Sequence, residues 1–204
     1  MFKNLSAQVH DKLIFQRRVH QLIKALNPLF KQGEHILDVG CGDGLIDKGL
    51  LGQKPSLSIE GVDILKRPQT HIEVKTFDGK TLPFADKSFD VVMFVDVLHH
   101  TQDPKALILE AKRVARKALV IKDHCQDGFL AAETLRFMDF VGNAPYGVAL
   151  RYNYLSLAQW QALFSDLELE VGDWQEQLRL YPLPASLIFD RKLHFIARLR
   201  ISHS

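Results

Sequence analysis

The stretch that decides the fold is ILDVGCGDGLI, residues 36–46: an apolar run, an acid at Asp38, and three glycines at alternating positions, Gly40, Gly42 and Gly44. Glycine here gives up backbone stability for left-handed φ and a surface without side chains, so something must come close to this backbone. Further short apolar runs follow at 57 (LSIEGV), 71 (HIEVKTF), 89 (FDVVMFV) and 118 (ALVIKD). Those beginning at 35, 89 and 118 are nearly continuous, as in strands buried on both faces. Helical patterns separate several of them. The clearest is DPKALILEAKRVARKAL from 103, with Asp103 as cap, Pro104 in the first turn and basic residues toward the end. Strands alternating with helices predict an α/β fold with a doubly wound, mainly parallel sheet, whose ligand sits outside the carboxyl ends of the central strands.

Composition narrows the ligand. The 204 residues are 47% hydrophobic and 25% charged, with a formal net charge of +2 and no basic stripe, which argues against a nucleic acid partner. Arg17, Arg18, Lys112 and Arg113 read as ordinary solvated helix faces. The two cysteines, Cys41 and Cys125, form no CxxC, so neither a disulfide framework nor a zinc site is indicated, and a reducing cytoplasm suits them. No apolar run approaches membrane-spanning length, and charges interrupt the amino-terminal segment.

The expected organisation is one domain: an amino-terminal helix in 1–33, a ligand-binding core in 34–124, a helical lid in 125–166 inserted after the fifth strand, and late strands in 167–204. Val9, Leu13, Ile14, Val19, Leu22, Ile23 and Leu26 mark one face of the first helix, which Pro28 closes.

Ligand chemistry follows from the glycine spacing. A dinucleotide loop wants GxGxxG, whereas this one reads GxGxG with Asp43 between the last two glycines, where an acid repels phosphate. No phosphate-cradling GxxxxGK[ST] is present either. The loop suits a ligand that carries an ammonium group and no phosphate, and a nicotinamide dehydrogenase is disfavoured.

Four ordered blocks, ILDVGCGDG, IEGVDI, FDGKTLPFADKSFDVVMFVDVLHH and ALVIKDH, resemble the class I S-adenosylmethionine-dependent methyltransferases, most closely the branch that includes the ubiquinone and menaquinone biosynthesis enzymes. The resemblance covers roughly residues 34–123. It implies a Rossmann-like, seven-stranded sheet with an antiparallel last strand and S-adenosyl-L-methionine as cofactor, leaving S-adenosyl-L-homocysteine. Asp38, Gly40, Cys41 and Gly42 would hold the methionine portion, and Asp63 the ribose hydroxyls, since one carboxylate can accept from a vicinal diol twice. Asp78 and Gly79 would read the adenine edge, Ile64 would pack on the ring, and Val95 belongs to the same pocket. Cys41 reads as a small filler rather than a nucleophile.

His99 and His100 follow the fourth strand and His124 the fifth, so all three are candidates to take a proton from an acceptor near the transferred methyl. Packing roles for the first two are the alternative. Asp123 is a candidate to orient His124, although neighbours in an extended chain point apart. Metal binding by these histidines is not expected, because adjacent histidines converge only across a turn and no acid lies at ligand spacing. The lid supplies Arg136, Tyr146, Asn153 and Tyr154 in an aromatic setting, which points to a small, partly hydrophobic organic acceptor. The place after the fourth strand lacks the Asn/Asp-Pro-Pro-aromatic run of amino-methylating relatives that act on nucleic acid. A protein that binds the cofactor without transferring methyl is the alternative function; a filled space beside the methyl position would favour it and an open apolar one the enzyme.

Overall fold

A computed structural model describes residues 2–143 and 151–202, with side chains from 13 to 141 and from 151 to 202. Seven strands form one sheet: β1 (His35–Val39), β2 (Ser58–Asp63), β3 (Val74–Thr76), β4 (Phe89–Val95), β5 (Ala115–His124), β6 (Leu169–Gln175) and β7 (His194–Ile201). Their order is β3-β2-β1-β4-β5-β7-β6. All neighbours pair in parallel except β7, which runs antiparallel to β5 and to β6. This is the expected doubly wound arrangement with one reversed strand.

Among the described residues, six helices accompany the strands: α1 (Phe2–Leu26), α2 (Leu45–Gln53), α3 (Pro104–Val114), α4 (Ala131–Asn143), α5 (Leu157–Asp166) and the short α6 (Ser186–Phe189). Alternate strand residues point to opposite faces, and the core divides accordingly. Ile36, Val91, Met93, Val120 and Ile196 pack with Leu22, Ile23 and Leu26 of α1 and Leu50 of α2. Leu37, Val92, Phe94, Leu119 and Ile121 pack with Leu107 and Ile108 of α3 and with Trp160 and Phe164 of α5. Each such buried side chain contributes about 1.5–3 kcal/mol.

One boundary and one buried stripe differ from expectation. The helical pattern from 103 stops at Val114, because Ala115 pairs with Phe89 and opens β5, while Arg116 and Lys117 reach Asp90 at 3.3 and 3.0 Å. Pairing with β4 outweighs the good helix propensity of these residues. Among the described side chains of α1, Leu22, Ile23 and Leu26 are buried and Val19 packs beside them, whereas Leu13 is exposed; Val9 lies outside the described side chains. The helix ends as predicted, at a 3-10 turn over Asn27–Leu29 with Pro28 in its first positions.

After β5 the chain crosses the strand ends and returns. Gln126 N–H donates to the Leu155 carbonyl at 3.0 Å, and Asn153 N–H to the His99 carbonyl at 3.0 Å. Ser156 caps α5 in a reciprocal capping box with Gln159. The segment 151–155 therefore lies against the turn that follows β4. No helix is long and apolar enough to cross a membrane among the described residues.

Candidate functional site

The three glycines after β1 answer to different demands. Gly40 has φ +78° and a Cβ there would stand 2.5 Å from a Val97 methyl; at Gly44 it would meet Ile72 at the same distance. Gly42, with φ +62°, faces open space. At Gly42 a side chain would meet open space; at the other two the chain packs on itself. Cys41 fills a gap over β2, where a Cβ on Gly61 would lie 2.4 Å from its Sγ. Burial pushes its thiol far above neutral pH, which removes it as a nucleophile, in keeping with the filler reading.

Asp63, the last residue of β2, pins the loop. Its Oδ2 accepts from Gly42 N–H at 2.8 Å and its Oδ1 from Leu65 N–H at 2.9 Å. Each oxygen keeps a second lone pair, enough for a vicinal diol. Ile64 next to it is 55% exposed and touches the turn at Gly79, where a Cβ would come within 3.2 Å of its Cγ2. Asp78 accepts from the backbone N–H groups of Thr81 and Lys80 at 2.7 and 2.8 Å, which pulls its carboxyl below the usual range. A hollow of about 470 Å³ lies on this side, lined by Gly79, Lys80, Gln102, Asp103, Ala106 and Leu107. Val95 closes β4 half-buried, packed toward the α1 and α2 side.

Beneath the loop lies a pair of acids. Asp38 near the end of β1 and Asp47 in the first turn of α2 are both buried, and Asp38 Oδ1 and both Asp47 oxygens lack a hydrogen-bond partner. Burial raises both carboxyls; the neighbouring Asp47 raises Asp38 further, and Asp47 itself is pushed up to about 6. With a proton between them the two carboxyls bond each other and resist ionisation; carboxylate oxygens buried here are costly without a cation, and an ammonium group is a natural complement. Asp47 was not anticipated. Its signal is an acid on the inward face of an otherwise apolar helical start, LIDKGLL.

A polar cluster occupies the ends of β4 and β5. Asp96, directly after β4 with φ +58°, is held by Arg18 of α1 at 2.6 Å, by the fully buried Lys122, and by His124 Nε2 at 3.4 Å. Burial opposes its charge, yet Lys122, Arg18 and His124 together hold its carboxyl well below the usual range. Asp123 points the other way and takes His99 Nδ1 at 2.6 Å and Leu98 N–H at 3.0 Å. A 3-10 turn over Leu98–His100 places the His99 and His100 rings 4.0 Å apart. Asp139 of α4 approaches both, 3.6 Å from His99 Nε2 and 3.3 Å from His100 Nε2, and accepts from the Tyr154 hydroxyl at 3.0 Å.

The predicted histidines thus come together, with roles altered. Asp123 orients His99 rather than His124, because side chains alternate along β5. Burial and then Lys122 hold the His124 imidazole well below its ordinary range. Burial works against charge on His99 too, but Asp123 and Asp139 outweigh it and raise the ring to about 9. Arg18, read as a solvated position, is instead drawn inward by Asp96. Arg113 is engaged as well, bonding Glu110, Asp86 and the Leu82 and Phe84 carbonyls.

Of the residues expected to meet an acceptor, Tyr154 joins this cluster. Asn153 lies beside it and spends its amide on the Thr101 carbonyl at 2.7 Å. Arg136 is exposed and lies over the Tyr152 ring at 5.9 Å. Tyr146 lies outside the described residues.

Comparison with known proteins agrees with this geometry. Residues 37–121 match the methyltransferase domain family. An uncharacterized methyltransferase of Schizosaccharomyces pombe is 34% identical over 104 residues, covering 42% of this chain and 37% of the relative. The demethylmenaquinone methyltransferase of Thermotoga maritima is 28% identical over 178 residues, covering 77% of this chain and 73% of that protein. This chain therefore spans from little more than a third to about three quarters of these relatives. Among solved structures, a chain from the complex between the Haloferax volcanii Trm112 methyltransferase activator and a methyltransferase superposes with a TM-score of 0.70. It is 17% identical, with 100% of this chain and 98% of that one covered. The strand order and the match over residues 37–121 make the chain similar, in its fold and central part, to class I S-adenosylmethionine-dependent methyltransferases.

Proposed function

We propose that the chain transfers a methyl group from S-adenosyl-L-methionine to a small, partly hydrophobic organic acceptor. The observation that carries this reading is the loop itself: open space at Gly42 above the unpartnered buried oxygens of Asp38 and Asp47, with Asp63 at its edge. These residues fit the cofactor's chemistry. The acid pair suits an ammonium group, Asp63 a ribose diol, and exposed Ile64 with the Asp78–Gly79 turn a flat base. Nothing among them welcomes a pyrophosphate.

The bound cofactor supplies a sulfonium methyl that is already activated, so positioning is the chain's main catalytic task, worth up to about 7–11 kcal/mol for well-aligned reactants. Asp38 and Asp47 fix one end and Asp63 the middle. The acceptor would enter between the ends of β4 and β5 and helix α4, where Tyr154 and the 151–155 segment exclude water. Exposed apolar residues on α4 and α6, among them Phe137, Phe140 and Leu187, lie close together through the stacked rings of Phe137 and Phe189 at 6.4 Å. They favour an acceptor with an apolar portion, as does the relative named for demethylmenaquinone.

Binding without transfer is favoured by one observation: His99, His124, Tyr154 and Asp139 fill the space beside the expected methyl position, all of them buried. Incubation with methyl-labelled S-adenosylmethionine and a metabolite extract separates the two. Label in a small organic product supports the enzyme, and cofactor binding with no labelled product from any extract supports the second reading.

A further inference from the structure

We propose that His99, His100 and Asp139 form a binding site for a divalent transition-metal cation of the zinc class, which clasps helix α4 to the turn after β4. The proposal needs neither cofactor nor methyl transfer. Two conditions missing from the sequence are met in the fold. The 3-10 turn over Leu98–His100 brings the adjacent imidazoles together, and the acid arrives from α4, thirty-nine residues beyond His100.

The geometry is that of three ligands around one point. One ring nitrogen of His99, one of His100 and a carboxylate oxygen of Asp139 lie within 4.8 Å of one another. Asp139 Oδ1 is 3.6 Å from His99 Nε2 and 3.3 Å from His100 Nε2. Zinc–ligand bonds of about 2.0–2.1 Å at tetrahedral angles require ligand separations of about 3.3–3.4 Å.

The surroundings prepare each ligand. His99 Nδ1 is engaged by Asp123 at 2.6 Å, which fixes the ring and turns Nε2 toward Asp139; a carboxylate behind a histidine is the usual outer support of a metal-bound imidazole. His99 is 1% exposed, and its Nε2 has no hydrogen-bond partner. The Tyr154 hydroxyl orients Asp139 from its other oxygen at 3.0 Å. Two imidazoles and a carboxylate favour zinc, cobalt or manganese over magnesium or calcium, which prefer oxygen alone. The alternative group of His99, Asp123 and His124 is less suitable, since the 2.6 Å contact between His99 and Asp123 leaves no room for an ion between them.

The test uses the full chain, stripped with chelator and free of S-adenosylmethionine, titrated with Zn²⁺ by calorimetry and with Co²⁺ by visible absorption. One saturable equivalent per chain is expected, with the strong visible bands of low-coordinate cobalt. His100→Gln and Asp139→Asn should each weaken it by at least tenfold. Asp123→Asn, which leaves all three ligands in place, should weaken it by about 10–100-fold. His35→Gln, at a histidine paired with Glu60 away from this cluster, should change nothing. Each variant is compared only if its circular dichroism matches the parent. Absence of saturable uptake, or one equivalent retained at full affinity in both His100→Gln and Asp139→Asn, overturns the proposal. Because cofactor is absent throughout, either result leaves the methyltransferase reading to its own test.

Discussion

Asp38 and Asp47 lie side by side under the glycine loop, one from the end of a strand and one from the first turn of the next helix, both buried and with three oxygens unpartnered. Two acids in that position repel each other and resist ionisation until a cation arrives. On the proposed function, the pair would receive the positively charged amino acid end of the cofactor.

The pair makes stability and binding depend on pH in opposite directions. Asp47 has an ordinary value of 3.8 and is pushed up to about 6 in the fold, so between these values the folded chain holds more protons than the unfolded one. Without cofactor, stability should fall as pH rises from about 4 to 6 through Asp47, and the raised Asp38 carboxyl carries the fall further. Binding of S-adenosylhomocysteine favours the ionised pair and should weaken as pH drops below about 6. Melting temperature against pH and calorimetry in buffers of different ionisation heat check both, the latter showing proton release near pH 5–6.

Asp47→Asn should separate these effects. Removing a buried charge should raise the stability of the cofactor-free chain at pH 7.5 by up to about 3 kcal/mol. Affinity for S-adenosylhomocysteine should fall at least tenfold. Denaturant unfolding and calorimetry on the same preparation read the two numbers.

Asp63→Ala removes the acceptor for both Gly42 N–H and Leu65 N–H. Hydrogen bonds to a charged group contribute about 1.5–3 kcal/mol each. Cofactor affinity should therefore drop by roughly a hundredfold or more, while the far-ultraviolet spectrum stays unchanged. Gly42→Ala adds a methyl where there is open space and should cost only about 1–2 kcal/mol of stability for its left-handed backbone. Any larger loss of cofactor affinity then reports contact with the ligand.

Ser156→Ala tests the fold away from the loop. It deletes the capping box of α5 and should cost about 1 kcal/mol, seen as a fall of about 2–4 °C in melting temperature for a chain of this size. S-adenosylhomocysteine affinity should be unaffected.

What was legible in the sequence and what was not have physical causes. β1 and β4 follow the runs HILDV and FDVVMFV residue for residue, because strands buried on both faces read as nearly continuous apolar stretches even with Asp38 and Asp90 among them. Asp38 and Asp63 were readable because strand ends mark where a ligand sits. Asp47 and Asp139 were not, because each is a single acid on a helix whose partner lies on another element, and helical periodicity does not say which face meets which strand. Arg18 escaped for the same reason: its position on α1 looks solvated until Asp96 turns inward with φ +58°. At Ala115–Lys117 local preference pointed to helix, and long-range pairing with β4 decided otherwise.

The central claim is tested most directly by calorimetric titration of the purified chain with S-adenosylhomocysteine and, in parallel, NAD. The account predicts one saturable site per chain for S-adenosylhomocysteine, lost in Asp63→Ala, and no heat from NAD. Saturable binding of NAD, or undiminished S-adenosylhomocysteine binding in a folded Asp63→Ala variant, would contradict it.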